Sequence, residues 1–281
     1  MSIKIYEAIE LSIEGQIARL TLKRPDTFNA MNEQLVAELN SALDQIESLA
    51  VIRAVLLTGE GAAFCAGADL RQGEVSFDQK TRDELGEAVY QSMLEGFNPI
   101  ISKIYHSKKP YVAAVNGACA GGGVGLALAC DIVIAAESAF FKQVFIPQLG
   151  IIPDLGSTWF LPRLVGNAKA RATMLLGDTV SAQEAEAWGM IYRSTPDNEL
   201  MPLALKLTER LATGPGFGIT HLKQALAKSE SNTLDQQLEE EATVQRACTA
   251  SSDFIEGIRA FSEKRKPRFT GDKDASAEDY Q

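Results

Sequence analysis

Two glycine-rich segments and one aspartate are the residues of this 281-residue chain whose types and spacing could do chemistry. In Asn116-Gly-Ala-Cys-Ala-Gly-Gly-Gly-Val-Gly-Leu126, four of the five residues from 121 to 125 are glycine. Glycine is unfavourable inside a helix, so the start of the helix that includes residues 126–130 is kept bare for a reason. Phosphate cradling fits poorly: a G-x-G-x-x-G pattern begun at Gly121 needs glycine where Leu126 stands, and a phosphate loop begun at Gly117 needs lysine where Gly123 stands. Unpaired N–H groups at the positive end of a helix stabilise developing negative charge, so the chemical alternative is an oxyanion site. Close helix packing is the structural one. Phe64-Cys-Ala-Gly-Ala-Asp-Leu70 follows an apolar run, and its small residues either let backbone approach another molecule or merely turn the chain. Asp154, in Ile152-Pro-Asp-Leu-Gly156, is either a turn aspartate after proline or an acid/base carboxylate.

Bulk properties narrow the partners. With 27 Lys and Arg against 37 Asp and Glu, the net charge is −10 and the sequence pI is near 4.9. Nucleic-acid surfaces need clustered cations, so no nucleic-acid partner is expected and an anionic ligand must find local positive charge. The two histidines, His106 and His221, lie in no metal-ligand pattern; neither a zinc site nor a Ser-His-Asp triad, and no other metal, is expected. Cys65, Cys119, Cys130 and Cys248 form no CxxC pair, and a cytoplasmic location fits such free thiols. The N-terminal MSIKIYEAIELSIEG lacks the marks of a secretory signal, and no apolar stretch reaches membrane-spanning length, so no membrane partner is expected.

Regular elements must position the reactive segments. Residues 15–22 alternate as a strand and run into Lys23-Arg24-Pro25-Asp26, where Pro25 interrupts pairing. Leu35, Leu39, Leu43 and Ile46 recur at helical spacing after Asn32, a plausible N-cap. Ala54-Val-Leu-Leu-Thr58, Tyr111-Val-Ala-Ala-Val115 and Ile132-Val-Ile-Ala135 are too continuously apolar for half-exposed strands and read as buried parallel strands separated by helices. Residues 73–109 are polar with a weak helical pattern, and part of that region is expected to be mobile. Residues 202–211, 219–228, 234–249 and 254–264 read as helices between turn-forming residues. The class is α/β with a helical C-terminal subdomain: a core over 1–200, a helical region over 201–270, and a tail over 271–281 with almost nothing to bury.

Five ordered segments carry a resemblance. Arg24-Pro-Asp-Thr-Phe-Asn-Ala30, Phe64-Cys-Ala-Gly-Ala-Asp-Leu70, residues 116–123, Leu149-Gly-Ile-Ile-Pro-Asp154 and Phe261-Ser-Glu-Lys-Arg265 resemble the successive signatures of the crotonase (enoyl-CoA hydratase/isomerase) superfamily. The resemblance implies a crotonase-like spiral of ββα units, with the C-terminal helices used for trimer formation and CoA capping, in a homotrimer or a dimer of trimers. It implies an acyl-CoA thioester ligand and no cofactor beyond the coenzyme A within that substrate. The N–H groups of Ala68 and Gly122 would form the oxyanion hole. Arg24, Phe28, Ala30, Ala66, Asp69 and Leu70 match positions lining the CoA site, and Phe261 and Lys264 match residues that reach CoA from a neighbouring subunit. Lys264, Arg265, Lys266 and Arg268 would then supply positive charge, unless they serve only a helix end.

The resemblance also separates reactions. Hydratases of the superfamily carry two glutamates whose positions fall here on Gly125 and Ile146, and two positioned acid/base groups are what such enzymes use to add water. Asp154 resembles the aspartate of members lacking both: ring-1,2-epoxyphenylacetyl-CoA isomerases, similar Δ3,Δ2-enoyl-CoA isomerases, and a dehalogenase type whose aspartate attacks an aromatic ring. The stretch 150–163 is similar to the isomerases, and Gln143-Val-Phe-Ile-Pro147 offers neither the Trp nor the His of the dehalogenase type. One departure is the complete glycine triplet, where those isomerases carry a small non-glycine residue. The expectation is an isomerase with Asp154 as its single base. Its rivals are a hydratase using Asp154 alone and a non-catalytic or RNA-binding relative.

Overall fold

The computed structural model describes residues 5–70 and 81–271. Ile9–Glu14 (β1) and Ile17–Leu22 (β2) pair antiparallel about Gly15, whose positive φ of 60° the tight turn requires; the strand expected from residue 15 therefore starts at Ile17. Glu33–Ser48 (α1) is capped by the Asn32 side chain, which accepts the Leu35 N–H at 3.0 Å. Leu35, Leu39, Leu43 and Ile46 are its buried stripe, each worth roughly 1.5–3 kcal/mol on burial.

Three times thereafter the chain lays one strand into a large sheet and a three-residue strand into a small one. Ala54–Gly59 (β3) is followed by Ala63–Cys65 (β4), and Arg82–Ser92 (α2) continues through a π turn at Met93–Phe97 into Asn98–His106 (α3). Tyr111–Val115 (β5), Ala118–Ala120 (β6) and Gly122–Leu128 (α4) repeat the unit. Ile132–Ala136 (β7), Phe140–Lys142 (β8), a π turn at Phe145–Leu149 and Ser157–Leu176 (α5), kinked at Gly166, repeat it again. Thr179–Ser181 (β9), Ala182–Ala187 (α6) and Arg193–Thr195 (β10) complete the sheets. The large sheet runs β1-β2-β3-β5-β7-β10, parallel from β2 onward; the small sheet runs β4-β6-β8-β9, parallel except at β8–β9. This is the expected spiral of ββα units. β3 and β5 are buried almost throughout, which is why their sequences show no alternation.

Leu200–Ala212 (α7), read from the sequence with the C-terminal helices, packs on the large sheet against β2, β3, β5 and β7. Gly216–Ser229 (α8), Leu234–Thr249 (α9) and Ser252–Ser262 (α10) form the helical C-terminal region. Lys223 ties α8 to the core through Asp131 at 2.7 Å. From Arg82 onward the polar 73–109 region is helical, apart from its last residues, while residues 71–80 and the expected tail from 272 lie outside the described residues. Among the described residues no helix is long and apolar enough to cross a membrane.

Candidate active site

Parallel strands in register end together. Cys65 pairs with Cys119, and Ala120 with Lys142, so the segments leaving β4, β6 and β8 emerge along one edge of the small sheet. Residues 66–69 are then held against the loop after β2: Ala66 N–H donates to Phe28 O at 3.0 Å, Met31 N–H to Gly67 O at 2.7 Å, and Asp69 N–H to Met31 O at 3.0 Å. In that parallel bridge the Ala68 N–H points away from Met31. Gly67, at φ +93°, lets the two loops touch: a methyl group built on it would come within 3.0 Å of Gly122 N. Among the described residues, neither the Ala68 N–H nor the Gly122 N–H donates to a protein acceptor. Gly122 opens α4, so its N–H lies at the positive end of the helix.

The segment before α5 delivers a carboxylate to the same place. A methyl group built on Gly122 would lie 3.3 Å from Asp154 Oδ1, 3.3 Å from Met31 Cε and 2.6 Å from Leu155 Cδ1. Asp154 Oδ1 is buried with no hydrogen-bond partner among the described residues. Burial without a cation pushes the Asp154 carboxyl up to about 6. A carboxylate poised near neutrality against Gly122 can lift a proton, and N–H groups such as those of Ala68 and Gly122, which have no acceptor among the described residues, can hold the resulting oxyanion. At the positions matched to hydratase glutamates, Gly125 is buried under the Leu155 backbone and Ile146 presents an apolar, exposed side chain.

The other expected residues divide into groups. Arg24 and Asp69 face each other at 2.9 Å, with side chains 13% and 4% exposed, and Arg24 also binds Ala30 O. Their charges are thus matched within the protein; breaking such a buried pair costs about 3–5 kcal/mol. Ala30 is buried and Ala66 half-buried, whereas Phe28 and Leu70 are exposed, as are Ile151 and Ile152 just before Asp154. Phe261 and Lys264 lie at the end of α10, outside the Asp154 cluster; Phe261 is 87% exposed and lines a cavity of about 400 Å³ with Phe254, Ile258 and Phe269. Of the four cations expected to supply charge there, Arg265 is corrected: Glu256 at 2.5 and 2.9 Å and Glu263 at 2.6 Å already bind it.

Several organising residues went unread. Asn29 is fully buried at φ +55°; its Oδ1 accepts the Arg24 N–H at 2.8 Å and its amide donates to Glu60 O and Ala63 O. Its signal was available, since asparagine tolerates left-handed backbone and serves turns. Gln143 and Ser157 are buried with side-chain polar atoms that lack partners among the described residues, and nothing in their sequence context marks them. Cys65, Cys119 and Cys130 are free and buried, and desolvation raises their thiols, so they are packing residues.

With this geometry in place, comparison with known proteins is consistent across the chain. The model of the family described as enoyl-CoA hydratase/isomerase matches residues 12–272. A 1,2-epoxyphenylacetyl-CoA isomerase of Escherichia coli (strain K12) is 44% identical over 267 residues, covering 95% of this chain and 100% of the relative. A protein of Rhodobacter capsulatus named "probable enoyl-CoA hydratase" is 40% identical over 266 residues, covering 95% and 99%. The crystal structure of an enoyl-CoA hydratase from Polaromonas sp. JS666 superposes with a TM-score of 0.86 at 36% identity, covering 94% of this chain and 100% of that one.

Proposed function

The chain belongs to the enoyl-CoA hydratase/isomerase family, and within it we propose an enoyl-CoA isomerase whose single acid/base group is Asp154. One observation carries this reading: a buried carboxylate whose Oδ1 has no partner among the described residues lies against Gly122, while Gly125 and Ile146 contribute no second one. With a 3-enoyl-CoA, the ionised Asp154 takes a proton from C2, next to the thioester carbonyl. The electrons spread to the thioester oxygen, which the Ala68 and Gly122 N–H groups hold. Asp154 then returns the proton at C4, leaving the double bond between C2 and C3. One base serves both carbons because they share a face of the planar dienolate. Each oxyanion donor is worth on the order of a hundredfold or more in rate.

The Escherichia coli relative favours a ring-epoxide substrate, for which the same donors would polarise the thioester while the ring opens and expands to an oxepin. Phe28, Ala30, Ala66 and Leu70 line the CoA site in this reading, with Arg24 and Asp69 bracing it. Phe261 and Lys264 complete it from a neighbouring subunit of a trimer or a dimer of trimers. Relatives named as hydratases favour the rival, water addition with Asp154 alone. Asp154→Asn assayed on a 3-enoyl-CoA tests the proposal: loss of on the order of a thousandfold is expected, and retention within about tenfold excludes Asp154 as the base.

A further inference from the structure

Gly125 lies one turn beyond Gly122 on α4, and residues three apart share a helix face. A methyl group built on Gly125 would meet the Leu155 carbonyl oxygen at 2.1 Å and Leu155 Cβ at 2.8 Å. One built on Gly122 would meet Leu155 Cδ1 at 2.6 Å and Asp154 Oδ1 at 3.3 Å. Leu155 therefore spans the two glycines, its backbone on one and its side chain over the other. It does so at φ +48° and 4% exposed, a conformation that a leucine keeps only where its surroundings hold it. Gly156, at φ +78°, then turns the chain into α5.

We propose that Leu155 and Gly125 are a positioning pair that fixes the reaction type: Leu155, seated on the bare backbone of Gly125, holds Asp154 beside the Gly122 N–H and fills the space from which a second acid/base side chain would enter. The inference rests on the isomerase reading and deepens it. Asp154 meets this face of α4 at 122, and a side chain at 125 would leave the same face directly into Leu155. Leu155 occupies that volume with its own main chain. One carboxylate backed by a leucine can lift and return a proton, and neither residue 125 nor residue 146 supplies a second group to activate water.

Two variants test the pair, each assayed for isomerisation of a 3-enoyl-CoA and for hydration of a 2-enoyl-CoA across a pH series. Leu155→Gly suits the positive φ and Gly125→Ala is a better helix former, so neither change weakens its own local backbone. In Leu155→Gly, water reaches Asp154, and the acid limb of kcat/KM moves down toward the ordinary carboxylate range with KM little changed. In Gly125→Ala, the Asp154 segment must shift, and a displacement of about an ångström lowers kcat on the order of a hundredfold. If Gly125→Ala does not fold, the limb in Leu155→Gly decides alone. An isomerising parent whose variants keep kcat within about threefold and an unmoved acid limb overturns this inference and leaves the isomerase reading intact. A parent that mainly adds water sinks the reading and the inference with it.

Discussion

Asp154 and Glu256 show how differently this fold treats two buried carboxylates. Glu256, on α10, has a side chain only 2% exposed, and it is matched by the Arg265 guanidinium at 2.5 and 2.9 Å and by the Arg268 N–H at 2.8 Å. Those donors, Arg265 foremost, hold its carboxyl down to about 2. Asp154 Oδ1 receives no donor among the described residues, and burial lifts its carboxyl to about 6. The matched group clamps the residues after α10 to the helix, with Asp253 doing the same for the Thr270 and Gly271 N–H groups. The unmatched group is held at a stability cost, in a state that exchanges protons near neutral pH.

Turnover separates the two most. Asp154→Asn should lose on the order of a thousandfold in kcat, whereas Glu256→Gln should keep kcat within about threefold and act through KM; steady-state assays on one 3-enoyl-CoA compare them. In the parent, kcat/KM should rise with pH through about 6 and then level, because the base must be ionised. A limb near the unperturbed value of 3.8 would mean that Asp154 is solvated like a surface residue.

Stability should respond with opposite signs. Because the Asp154 carboxyl is raised from 3.8 to about 6, its stabilising contribution is complete below 3.8 and lost as pH rises through about 6. The loss is up to about 3 kcal/mol, so Asp154→Asn should melt above the parent at pH values over 6, with the gain vanishing in acid. Glu256 is lowered from 4.5 to about 2, so its contribution is present above 4.5 and lost as pH falls through about 2. Glu256→Gln should accordingly melt below the parent by a few degrees at neutral pH, with no difference in strong acid; thermal melts along a pH series read both slopes. The smallest effect belongs to Lys264→Ala, which should raise KM for acyl-CoA by about threefold or less, as expected of one exposed charge. Truncation before Ser252 removes α10 with both its acidic anchors and should raise KM far more, a contrast that titration kinetics on the two proteins would reveal.

What the sequence made legible follows the range of each interaction. The Asn32 cap and the stripe of Leu35, Leu39, Leu43 and Ile46 are local, and β3, β5 and β7 announce themselves by unbroken apolarity. The small sheet does not, because strands of three residues are too short to show a period. Asp154 and the glycines were legible as types, but the isolation of the carboxylate was not, since it depends on what fails to approach it. Gly125 read as an absent glutamate, yet in the fold it is the surface on which Leu155 rests. Leu155 itself carries no mark, being a leucine in backbone that glycine or asparagine favours. The Arg24–Asp69 pair joins residues 45 apart, beyond any local pattern, so a cation and an anion matched to the CoA site turn out to meet each other.

The central claim, one unpartnered base and no water addition, is tested most directly by incubating the enzyme with a 3-enoyl-CoA in water enriched in oxygen-18 and identifying the first product by mass spectrometry. The account predicts a 2-enoyl-CoA of unchanged mass with no heavy oxygen. A 3-hydroxyacyl-CoA carrying oxygen-18 as the first product formed would contradict it.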